Sequence, residues 1–130
     1  MDKARGVSLK AQIARWWPAL VMMAVIFAAS SFPSQDLPNF GLWDWLLKKS
    51  GHALGYALLA LAYLRGLTPA GGERPAARKW LLAVLLAGLY GATDEYHQSF
   101  VAGRGAAAAD VLIDTLGAAI GVAVRVRVWS

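Results

Sequence analysis

No cysteine occurs in the 130 residues, so disulfides and thiol chemistry are excluded and redox gives no compartment. Charge is nearly as scarce. Charged residues are 16% of the chain, against roughly a quarter in soluble domains, and only 8 are acidic. There is no His-x-x-x-His, no Glu-x-x-His, no Gly-rich phosphate loop and no nucleophile elbow. The specific signals for zinc, di-iron and nucleotide-driven chemistry are therefore missing, and no metal is expected.

What is abundant is apolar. Hydrophobic residues make up 58% of the chain and mean hydropathy is +0.45. The length allows one domain, 1–130, and the apolar runs point to lipid as its main solvent. A net charge of +5 could suggest nucleic acid, but the basic residues flank apolar runs and read as orientation signals instead.

Four runs are long enough to span a bilayer: about 16–32, 50–67, 80–96 and 107–124. A signal peptide is the rival reading of the first, which follows a basic start and ends in Ala28-Ala29-Ser30. Trp16 and Trp17 stand at its entrance, where indoles favour the headgroup level. Residues 33–48 read as a connector lying in the interface. Thr68-Pro69-Ala70-Gly71-Gly72 breaks the chain after the second run, and Gly103-Arg104-Gly105 reverses it after the third. With the N-terminus inside, the inner segments hold Lys3, Arg5, Lys10, Arg15, Arg65, Arg74, Arg78, Lys79, Arg125 and Arg127. Only Lys48, Lys49 and Arg104 fall outside. The expected fold is all-α: a polytopic, four-transmembrane-helix bundle with both termini cytoplasmic.

That topology brings polar groups to one depth at the outer leaflet. They are Lys49, His52 and Tyr56 in the second run, Asp94, Glu95 and Gln98 in the third, and Asp110 and Asp114 in the fourth. His52 and Tyr56, Asp94 and Gln98, and Asp110 and Asp114 are each four apart, so each pair shares a helix face. Ionisable groups at this depth are costly and mark a site. Gly51 and Gly55, and Gly117 and Gly121, have the spacing that lets membrane helices approach closely. His52, Glu95 and Asp110 are the candidates for acid–base work. Lys49, Tyr56, Asp94, Gln98, Arg104 and Asp114 are the candidate ligand contacts, Arg104 as a clamp on an anionic group. Each has a plainer alternative: hydrogen-bonding glue for His52, solvation for Asp94, helix capping for Gln98, an internal ion pair for Arg104. His97 is expected to be a solvated turn residue.

At these residues the chain resembles the VanZ-like family of small membrane proteins. The matching elements are Ser30-Ser31-Phe32-Pro33, Lys49-Ser-Gly-His52-Ala-Leu-Gly-Tyr56, Asp94-Glu95-Tyr-His-Gln98-Ser-Phe100, Arg104 and Asp110-Val-Leu-Ile-Asp114-Thr-Leu-Gly117. Two departures stand out: Asp114, where the family more often has Asn, and Ala102-Gly103 before the Arg. The resemblance implies an integral protein of the bacterial cytoplasmic membrane. It also implies a link to glycopeptide susceptibility, notably to teicoplanin, through the founding member.

Three classes of function follow. The first is an envelope enzyme acting on a lipid-linked or peptidoglycan precursor. The second is a non-catalytic binder of a lipid, wall fragment or glycopeptide. The third, ranked last because four spans leave little room for alternating access, is a proton- or ion-coupled transporter. Membrane lipids are the expected partners, with homo-oligomers open, and no cofactor is indicated.

Overall fold

The computed structural model describes residues 8–31, 42–68, 74–101 and 108–128, and among these every regular element is an α-helix. α1 is Leu9–Ser30, α2 Leu42–Leu67, α3 Ala77–Gln98 and α4 Ala108–Val128. Ser8 starts α1 early, its hydroxyl accepting the Ala11 N–H at 3.2 Å in an N-cap. α2 begins at Leu42, well inside the stretch read as an interfacial connector, because nothing after Leu42 breaks a helix. Hydropathy located the apolar centres of the helices. Backbone hydrogen bonding carries the helices beyond them.

α2 is the central helix. It packs against all three others, most extensively against α4, whereas α1 meets α3 mainly through side chains and does not reach α4 among the described residues. Sequence explains two of these seams. Pro18 lies inside α1 and has no N–H, so the Ala14 carbonyl four residues earlier loses its helical donor. The Arg65 guanidinium of α2 supplies one at 3.1 Å, and Arg15 returns the contact by donating to the Gly66 carbonyl at 2.5 Å. Trp16 packs across this seam: a methyl group at Gly66 would lie 2.5 Å from its ring, and Tyr63 is a tilted neighbour at 6.4 Å. Trp16 is therefore a packing residue, while Trp17 points outward as an anchor would.

The second seam joins α2 to α4. A Cβ added at Gly117 would strike the Ala53 carbonyl, and one at Gly121 would come 2.8 Å from the Ala57 Cβ. Close backbone approach here requires glycine. The expectation for Gly51 and Gly55 needs correction. Nothing lies within 4 Å of a Cβ at Gly51, and a Cβ at Gly55 would meet only Ile26, at 3.9 Å. Ala53 and Ala57 form the contact face instead, two residues round the helix.

Each helix turns apolar side chains outward. On α4 the exposed row is Leu112, Leu116, Ile120, Val124 and Val128, each more than half exposed, and Leu81, Leu85 and Leu89 do the same on α3. The inward face of α3 is small or polar: Ala83, Ala87, Gly91, Asp94, Glu95 and Gln98. That distribution inverts the soluble rule, in which charge stays outside. α1 alone among the described residues is both long and apolar enough to cross a membrane on composition.

Candidate functional site

The polar residues collect at one end of the bundle, where α1 and α3 finish and α4 begins. Asp94, a candidate ligand contact with solvation as its plainer alternative, is 3% exposed. Its Oδ2 accepts the Ser30 hydroxyl of α1 at 2.8 Å and the Gln98 amide at 2.8 Å. Ser30 has a single proton and gives it to Asp94. It must therefore accept from Gln98, whose Nε2 stands 3.2 Å away. The Gln98 amide nitrogen thus donates inside the cluster, and Gln98 acts there as a buried strut. Ser30 escaped the sequence reading as a site residue. Its signals were a hydroxyl closing an apolar run and its place in the Ser30-Ser31-Phe32-Pro33 element, but its partner is 64 positions away.

A ladder between α2 and α4 lies beside this triangle. Lys49 Nζ pairs with Asp110 Oδ1, with 30% and 18% side-chain exposure. One turn deeper, His52 Nδ1 is 3.0 Å from Asp114 Oδ1, and Asp114 is 1% exposed. With the carboxylate accepting, Nδ1 carries the hydrogen and Nε2 is left for other contacts. His52 is thus oriented by Asp114, a residue the sequence reading had placed among ligand contacts. Glu95 is buried at the same end, and Arg104 lies outside the described residues.

Tyr56 stands between the triangle and the ladder. It is 1% exposed, its ring centroid is 5.8 Å from His52, and its hydroxyl lies near Asp94 and Asp114, interacting with Asp94 but outside strict hydrogen-bond geometry. Asp94 Oδ1 and Asp114 Oδ2 are likewise buried and unpartnered. Gly91 makes room for this meeting: a Cβ there would come 3.4 Å from both Asp114 Oδ2 and Tyr56 Cε1. His97 is not a solvated turn residue. It stacks on Phe27 at 4.3 Å and meets the Ser31 hydroxyl at 3.0 Å through Nε2. Ser31 gives its proton to the Phe27 carbonyl at 2.7 Å, so His97 is the donor.

Among the described residues, no group of three or more His, Cys, Asp or Glu is placed to hold a metal ion. Chemically the end of the bundle offers a positioned imidazole, buried carboxylates and a cation at the rim. The family model for VanZ/LLP1 matches residues 16–128, which takes in every residue of this cluster. The chain belongs to the VanZ/LLP1 family. Among curated proteins and solved structures, none matches it. VanZ/LLP1 proteins are membrane-associated, in keeping with the apolar α1. In this VanZ/LLP1 chain position 114 is Asp. The carboxylate accepts from His52 Nδ1, and a side-chain amide oxygen could do the same without the charge.

Proposed function

We propose that this VanZ/LLP1 chain is a four-span protein of the cytoplasmic membrane whose polar end opens to the outer leaflet. There it binds the head group of a lipid-linked or peptidoglycan-related envelope ligand. The observation that carries this reading is the inversion of the bundle, with leucine rows outside and Asp94, Gln98, His52 and Asp114 within. Lipid accepts the first, and the second is worth its desolvation only where a polar ligand is handled. The basic residues bordering the opposite end support the same orientation. Lys49 and Asp110 form the rim. His52, held by Asp114, is the group able to take or give a proton to a bound ligand.

A binding role without turnover is the second reading. It is favoured by His52 having no hydroxyl nucleophile hydrogen-bonded to it among the described residues. Native mass spectrometry of the protein extracted with its own lipids, beside His52→Ala and Arg104→Ala, tests the shared core of both readings. A specific lipid or wall intermediate is expected on the wild type and lost in both variants. The same spectrum for all three would sink the ligand site. If the adduct is found, turnover of that molecule decides between enzyme and binder. A link to glycopeptide susceptibility is a consequence to be measured in cells carrying the same variants.

A further inference from the structure

We propose that Asp94, Tyr56 and Asp114 together bind one alkali cation in the interior of the bundle. Three oxygens on three helices carry the inference: Asp94 Oδ1, the Tyr56 hydroxyl and Asp114 Oδ2, each buried and without a hydrogen-bond partner. Their residues are 3%, 1% and 1% exposed. Gly91 fixes their neighbourhood, since one Cβ there would touch both Tyr56 and Asp114 Oδ2.

Internal hydrogen bonding does not satisfy this trio. The Tyr56 hydroxyl has one proton and two carboxylates before it, so whichever it serves, the other keeps an orphan oxygen. Charge points the same way. Asp94 is met by neutral donors, Ser30 of α1 and Gln98 of its own helix, while Asp114 is met by His52 of α2. The nearby Lys49 ammonium is engaged by Asp110. Among the described residues, one titratable imidazole offsets these two carboxylates in a low-dielectric interior, which favours a further positive charge.

An all-oxygen set selects hard cations over zinc or copper. Calcium takes six to eight oxygens, and magnesium keeps a rigid octahedral shell with several waters. Three buried side-chain oxygens match a monovalent ion better than either. This inference does not rest on the envelope ligand. A chain that retains no lipid in the mass spectrum still binds the ion if these oxygens are its site.

The test is thermal unfolding of the purified full chain in detergent, titrated with sodium, potassium or choline chloride at constant ionic strength. A ligand that binds only the folded state raises Tm in a saturable way. Sodium or potassium, or both, is expected to raise Tm where choline does not, and their order identifies the ion. Tyr56→Phe, which keeps the ring, and Asp114→Asn, which keeps an acceptor for His52, should each raise the half-saturating concentration by about tenfold or more. Equal Tm in all three salts overturns the proposal and leaves a buried water as the occupant. A midpoint unchanged in both variants overturns it as well.

Discussion

Two glycines that look alike in sequence should respond in opposite directions to the same substitution. Gly117 and Gly51 each begin a four-residue glycine pair, and each is replaced by alanine. At Gly117 the new methyl lands on the Ala53 carbonyl, which is backbone and has no rotamer to yield. Overpacking of this kind costs about 1–3 kcal/mol, with a rigid obstacle at the upper end. The better helix propensity of alanine offsets about 1 kcal/mol of that. A net loss of about 2 kcal/mol remains, roughly thirtyfold in the folding equilibrium. At Gly51 nothing lies within 4 Å of the added Cβ, so only the propensity term acts. Gly51→Ala should therefore stabilise by up to about 1 kcal/mol. Denaturant unfolding of both variants in one detergent, followed by circular dichroism, reads the difference. Gly117→Ala as stable as the wild type, or Gly51→Ala destabilised to match it, would refute the α2–α4 seam.

The remaining predictions use the same assay. Ser30→Ala removes a buried donor to Asp94 and the acceptor of Gln98, and should cost about 1–3 kcal/mol. Ser31→Ala, at an exposed position, should cost distinctly less, and equal losses would count against the buried triangle. Lys49→Ala breaks a partly exposed ion pair, so its effect should stay within about 1 kcal/mol and shrink as salt is added. A larger, salt-independent loss would place Lys49 in a desolvated role.

Much of this was legible in the sequence because helix periodicity is local. Spacing alone puts Asp110 and Asp114 on one face and Asp94 and Gln98 on another, and the helices do turn those faces inward at one end. What spacing cannot supply is register between helices. The depth of His52 against Asp114 follows from where Gly117 and Gly121 seat on Ala53 and Ala57. Small residues occur on several faces of α2, so composition did not distinguish Gly51 and Gly55 from the alanines that make the contact. The burial of Asp94 was hidden for a related reason. A carboxylate near a helix end looks solvated until Ser30 of a distant helix is placed against it. His97 is a milder case, partly covered by Phe27 and Ser31 of α1.

The central claim is that this bundle crosses the membrane with its polar end outside. Because the chain has no cysteine, single cysteines report sidedness without background. Ser99 and Ala77 are exposed at opposite ends of α3, so Ser99→Cys and Ala77→Cys probe the two faces of one helix. In intact cells, or spheroplasts where an outer membrane intervenes, a membrane-impermeant maleimide should label the cysteine at 99. The cysteine at 77 should react only after the cytoplasmic membrane is opened. Labelling of both or of neither in intact cells, or labelling of 77 alone, would contradict the account.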